Sequence, residues 1–172
     1  MALAFNGGTN VITGLATGGL PDGCVDQDTL ASSVNTITYA DIYRLTSDFD
    51  GNQDPITSNW ERDDHAAFGN IGGVAAPSSG VFSFPVTGIW RVDFNIYFAS
   101  LNHENAWPTY SIYATTDNSS YSVVATNSNT IYNGSDSWNY GQSSMKVLID
   151  VDNVSNVKVR VGAVNDGNSS SV

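Results

Sequence analysis

The chain has 172 residues, with 17 acidic against 6 basic side chains, a formal net charge of −11, and 41% hydrophobic but only 13% charged residues. That length suits one domain able to bury a core without covalent staples. The six cations, Arg44, Arg62, Arg91, Lys146, Lys158 and Arg160, are scattered, which excludes a basic face for nucleic acid or for an anionic membrane surface.

Ser, Asn, Thr and Gly make up most of the polar remainder. These residues compete for backbone hydrogen bonds and sit poorly inside helices, so composition alone points to β structure. The N-terminus lacks the positive head and unbroken apolar stretch of a secretory signal, and no run reaches membrane-spanning length. Synthesis and assembly in the cytoplasm are therefore expected, with no membrane insertion. The lone cysteine, Cys24, has no partner for an intrachain disulfide and no neighbouring His or Asp to complete a catalytic or metal pattern.

Residues 1–34 are broken by Gly7-Gly8, Gly14, Gly18-Gly19 and Pro21-Asp22-Gly23, with isolated apolar residues between them. Each Gly or Pro-Asp-Gly marks a turn, so neither a long helix nor a long strand is predicted. Such a segment is either disordered or ordered against another chain. The recurrence of Val11, Ile12, Leu15 and Leu20 favours an extended docking arm.

Strand patterns begin after Asn35. Ile37 to Thr46 is predicted as the first strand, offering Ile42, Tyr43 and Leu45 for burial. A turn-rich loop, Asp48 to Pro55, leads to a short strand within Ile56 to Arg62 that carries Trp60. Gly88 to Ser100 is the clearest element: Trp90, Val92, Phe94, Ile96 and Phe98 alternate with polar residues and Tyr97, a period of two that leaves one face for a core. The same period recurs in Pro108 to Thr116 (Tyr110, Ile112, Ala114), in Met145 to Val151, and in Val157 to Ala163. Asp152 to Asn156 reads as a hairpin-like link between the last two. Ser120 to Thr126 and Thr130 to Tyr132 are weaker candidates. Many short antiparallel strands with Gly/Asn/Ser turns predict an all-β sandwich or barrel over residues 35–172, a jelly roll among them.

Within this pattern Gly80, Phe82, Pro85, Gly88, Trp90 and Val92 fall on the positions G-x-F-x-x-P-x-x-G-x-(Y/F/W)-x-(hydrophobic), so the segment resembles the signature of the complement-one-q and tumour-necrosis-factor superfamily. The spacing reads as inward-facing Phe82 and Phe84 ending an edge strand, a turn preset by Pro85, and a close reversal at Gly88 before the long core strand. The N-terminal half resembles virion proteins of tailed phages, marine cyanophages especially, through Phe5-Asn6-Gly7, Gly18 to Gly23, Val25-Asp26, Asp28, Leu30-Ala31, Tyr43-Arg44-Leu45-Thr46 and Ser58-Asn59-Trp60-Glu61-Arg62. Together the two resemblances span most of residues 5–164. They imply a jelly roll that assembles as a homotrimer, displays its loops outward and performs no catalysis. The implied place is a virion, as a capsid decoration, head fibre or tail fibre anchored to other virion proteins by the arm. Members normally finish with an aromatic and apolar strand in the inner sheet. Here the chain stops at Asn168-Ser169-Ser170-Ser171-Val172, so the resemblance implies that the final strand comes from elsewhere or that the sequence is a fragment.

No enzyme pattern accompanies it. His65 and His103 lie in polar loop sequences, no nucleophile stands beside a base, and no zinc spacing exists. Asp48, Asp50, Asn52 and Asp54 alternate at a spacing that suits oxygen ligands for calcium, yet without the glycine and closing glutamate of an EF-hand, so a solvated acidic turn is expected and no cofactor is assigned. The N-x-S sequons at Asn118, Asn133, Asn153 and Asn168 read as loops. Trp107, Tyr121, Tyr132, Trp138 and Tyr140 place large rings among Asn and Ser, a composition suited either to trimer packing or to contact with a host glycan or receptor. A receptor- or carbohydrate-binding module is accordingly the alternative function.

Overall fold

A computed structural model describes residues 4–6, 11–13, 37–101, 107–130 and 138–166. The chain divides into two units, Met1–Thr38 and Tyr39–Val172. In the first, β1 (Ala4–Asn6) pairs antiparallel with β2 (Val11–Thr13). Val11 and Ile12 of the expected arm thus fall in a three-residue strand, while Leu15, Leu20 and Cys24 lie outside the described residues.

The second unit contains β3 (Tyr43–Leu45), β4 (Trp60–Arg62), β5 (Phe82–Ser83), β6 (Gly88–Leu101), β7 (Trp107–Thr115), β8 (Ser122–Ser128), β9 (Trp138–Val151) and β10 (Lys158–Asp166). Every pairing is antiparallel and the described residues hold no helix, so the protein is all-β. β5, β10, β7 and β8 form a four-stranded sheet in that order, and β6 pairs with β9 along an unbroken ladder from Gly88↔Val151 to Leu101↔Trp138. Successive side chains of a strand point to opposite faces, and the inner faces of these two sheets share one core. Phe94, Ile96, Phe98 and Met145 of the β6–β9 pair are buried with Tyr110, Ile112, Val161 and Ala163 of the larger sheet, while Ile149 and Val151 join Phe84, Val157 and Val159.

Several expectations change. Of the predicted Ile37–Thr46 strand, Tyr43–Leu45 forms the ladder with β4 and Ala40 makes a separate bridge to Ile71, while Ile37 and Ile42 are exposed. β9 begins at Trp138 rather than Met145. The Asp152–Asn156 turn, closed by bonds from the Asn156 and Val157 amides to the Asn153 carbonyl, does not make a hairpin. It carries the chain from one sheet to the other, since β9 pairs with β6 and β10 with β7 and β5. Residues 53–56 were expected to be pure loop at their start, yet Gln53 exchanges two backbone bonds with Ala163, and the Ile56 amide donates to the Val161 carbonyl. Beside β5, this segment lines the edge of β10 opposite β7. Of the weak strands, Ser120–Thr126 becomes β8, two residues further on, and Tyr132 lies outside the described residues.

The two short segments Tyr43–Leu45 and Trp60–Arg62 face each other as β3 and β4. Their registered pairs are Tyr43↔Arg62, Arg44↔Glu61 and Leu45↔Trp60. Arg44 bridges Glu61 at 2.9 Å, and Arg62 holds the nearly buried Asp41 carboxylate at 2.8 Å while donating to the Tyr43 hydroxyl. A buried carboxylate is tolerable only with such a partner.

Tyr110 is fully buried, stacked on Phe98 with centroids 5.2 Å apart, and its hydroxyl meets no hydrogen-bond partner among the described residues. Burial pushes the phenol far above its ordinary pKa, so it stays protonated. An orphaned buried hydroxyl costs about 1–3 kcal/mol. Tyr110→Phe is therefore expected to keep the fold and raise stability by about 1 kcal/mol in urea titration; a loss of stability would reveal a partner for the hydroxyl.

Candidate functional site

Alternation along the strands leaves each sheet an outer face, and the two faces differ in chemistry. On the β6–β9 sheet the outward residues include Ile89, Arg91, Asp93, Asn95 and Tyr97, registered against Asp150, Leu148, Lys146, Ser144 and Gln142. Ile89, Leu148, Tyr97 and Tyr140 are 67%, 68%, 62% and 59% exposed, and Tyr97 stacks on Tyr140 with ring centroids 5.7 Å apart. Beside that pair a hollow of about 410 Å³ is lined by Asn95, Tyr97, Gln142 and Ser144 over a floor of Ile96 and Ser143. Arg91 binds the Asp93 carboxylate with both its Nε and Nη2, at 2.9 and 2.8 Å, which holds Asp93 below the usual carboxylate range. This face carries two exposed apolar pairs, Ile89 with Leu148 and Tyr97 with Tyr140, separated along the ladder by the polar residues Asp93, Lys146, Asn95 and Ser144.

The four-stranded sheet presents a polar and aromatic patch instead. β10 points Val157, Val159, Val161 and Ala163 inward, so Lys158, Arg160 and Gly162 face out. Arg160 is registered against Tyr113 and Gly162 against Ser111. The guanidinium of Arg160 lies 4.1 Å from the ring centroid of Tyr121 and 5.3 Å from that of Tyr113. The Tyr113 hydroxyl crosses β10 to donate to Asp54 Oδ2 at 2.7 Å. Gly162 makes that crossing feasible: a Cβ there would stand 2.1 Å from Asp54 Oδ1. Tyr121 is delivered by the turn after β7. Its Asp117 carboxylate accepts from the Ser119 and Ser120 amides and from the Thr115 hydroxyl, bonds that hold it well below the usual carboxylate range. Asn118 occupies a left-handed position there, at φ 59°.

The residues singled out from sequence are dispersed. Tyr121 joins the patch on the larger sheet and Tyr140 the outer face of the smaller one, while Trp107 starts β7 half-exposed. Trp138 heads β9 with its side chain outside the description, and Tyr132 and His103 lie outside it altogether. His65 is an exposed loop residue whose Nδ1 accepts from the Ala67 amide and whose ring meets the edge of Phe68. Asp54 turns away to Tyr113, and among the described residues no three His, Cys, Asp or Glu side chains gather as metal ligands would. The metal candidate Asp48, Asp50, Asn52 and Asp54 thus has one member engaged elsewhere. Sequence reasoning missed Arg160, Tyr113 and Asp54 as a group and missed Tyr97. Tyr97 was legible as an aromatic at an outward position of the clearest strand.

Among the described residues no helix is long and apolar enough to cross a membrane. No protein-family model matches the chain, and no curated protein matches it either.

Proposed function

We propose that the chain is a structural component of a tailed-phage virion, a homotrimeric jelly-roll knob that decorates the capsid or tips a fibre and is anchored to other virion proteins by residues 1–34. The observation that carries the assembly half of this reading is the two exposed apolar pairs, Ile89 with Leu148 and Tyr97 with Tyr140, on one sheet face. Scattered surface apolar residues are ordinary, but several on a single sheet face mark an interaction surface. The face as a whole is charge-balanced, Arg91 and Lys146 against Asp93 and Asp150, with Arg91 already paired to Asp93 within one strand, so covering it with another copy adds no net charge. A threefold arrangement around such a face leaves the loops pointing outward at one end. The jelly roll itself is supported by the path of the chain, which passes from β5 to β6, to β7 and β8, to β9 and to β10 by changing sheets at four of those five steps. The virion assignment rests on the sequence resemblance described above.

Light scattering on the whole chain at micromolar concentration is expected to give three copies. The double variant Ile89→Asp/Leu148→Asp should stay folded and become monomeric. Deleting residues 1–30 should leave the oligomer intact and abolish incorporation into particles. A monomeric whole chain would overturn the assembly reading, and full occupancy of particles by the truncated chain would overturn the anchor.

The alternative, a receptor- or carbohydrate-binding module, is favoured by a different observation, the patch around Arg160 on the opposite sheet.

A further inference from the structure

We infer that Arg160, Tyr121, Tyr113 and Asp54 form a binding site for a carboxylate-bearing saccharide, a uronic acid unit of an acidic polysaccharide. The first ground is the state of Arg160 compared with the other arginines. Arg44 is ion-paired with Glu61 and Asp64, Arg62 with Asp41, and Arg91 with Asp93. Arg160 has no ion pair with a carboxylate among the described residues, although the chain holds 17 acidic residues, and its Nε is buried without a hydrogen-bond partner. A guanidinium offers a planar fork of donors that matches a carboxylate in a bidentate pair.

Preorganisation is the second ground. The cation is held between two rings, at 4.1 and 5.3 Å from their centroids, on a strand buried on its other face. Fixing the side chain in advance removes much of the ordering cost that binding would otherwise carry. Thirdly, the neighbouring groups suit a sugar. The half-buried rings of Tyr113 and Tyr121 give flat surface for the C–H face of a pyranose. Asp54 receives Tyr113 at Oδ2 and presents Oδ1 over Gly162, an acceptor for a sugar hydroxyl. A uronate satisfies guanidinium, ring and carboxylate together. An acidic peptide would meet the guanidinium but bring a second carboxylate toward Asp54. Polyphosphate backbones carry a charge at every unit and need several cations in register, where this patch offers the guanidinium of Arg160 beside the carboxylate of Asp54.

This inference does not depend on trimer formation or virion location. Calorimetric titration of the whole chain with oligomers of galacturonate, alginate and hyaluronan should show binding to at least one of them. The methyl ester of that oligomer should bind roughly tenfold or more weakly. Arg160→Gln and Tyr121→Ala should each reduce affinity by roughly tenfold, and Arg160→Lys, which keeps the charge but loses the fork, by a smaller factor. Thermal melting and light scattering of each variant should match the parent, which separates loss of the site from loss of fold or assembly. No binding to any of the three at millimolar concentration, equal binding of the ester, equal binding of oligoglutamate, or an unchanged affinity in well-folded Arg160→Gln would each overturn the site.

Discussion

Gly80→Ala is expected to be among the most damaging single changes in the chain, lowering stability by more than about 3 kcal/mol in urea titration. Gly80 is buried and adopts φ 74°, a left-handed conformation that an L side chain occupies at a cost of about 1–2 kcal/mol. The larger effect is contact. A Cβ at this position would stand 2.0 Å from the carbonyl oxygen of Ile56 and 2.9 Å from Thr57 Cα, both backbone atoms that no rotamer change can move. The same carbonyl accepts the Trp60 indole N–H at 3.0 Å, and the Ile56 amide is tied to β10, so displacing it disturbs two sheets at once. Gly73 provides the control. It has φ 64° with nothing within 4 Å of an added Cβ, so Gly73→Ala should cost only the conformational part, about 1–2 kcal/mol. Equal losses at the two positions would show that the approach to Ile56 is not what fixes Gly80.

Phe98→Ala is expected to cost about 3–5 kcal/mol, the usual penalty for deleting a buried ring and leaving a cavity. Phe98 is 1% exposed, packs on Tyr110 and covers Gly141 across the β6–β9 ladder, where a Cβ would meet the ring at 2.2 Å. Without the ring, the bare Gly141 backbone and the Tyr110 face line the same void, and neither can collapse into it. Phe94, which keeps 9% exposure in the same core, should lose a similar or slightly smaller amount. A loss below about 1 kcal/mol at Phe98, read from the shift in denaturant midpoint, would count against the assignment of this strand to the core.

The strands that were legible in advance are those whose burial is written in their own residues. β6 and β10 alternate without interruption, and the inward set of each is the set buried or half-buried in the structure. The first half of β9 escaped notice because its inward positions are Gly141 and Ser143, and the apolar cover at Gly141 comes from Phe98 on the neighbouring strand. The backbone pairing of residues 53–56 escaped for a related reason. Around Pro55, only Ile56 signals burial, and the ladder is completed by β10 from the far end of the chain. The Asp152–Asn156 turn looks the same whether it joins partners within one sheet or passes between two, so local sequence could not decide its sheet. At the candidate site, Tyr121 stood out as an aromatic among polar residues. Arg160 gave no signal and Asp54 was read only as part of an acidic loop, since their meeting place is set by register across β10 and by the missing side chain of Gly162.

The β6–β9 ladder has a consequence for how the chain reaches its native state. Its nearest rung, Leu101↔Trp138, closes only after everything between them has been looped out, and that interval contains the whole of β7 and β8. Those two strands are joined by the short Asp117 turn and can meet as a local hairpin in about 1–10 μs. The ladder must wait for closure of a much longer loop, whose entropy is lost before any rung repays it. Zipping then runs from Leu101↔Trp138 toward Gly88↔Val151, and β10 reaches its place between β7 and β5 only after the turn following Val151. A topology so dominated by pairings between distant segments places folding in the slow class, milliseconds to seconds. During that interval the apolar inner edges of two long strands stand open to neighbouring chains, so yield in the cell is governed by the race between zipping and intermolecular pairing.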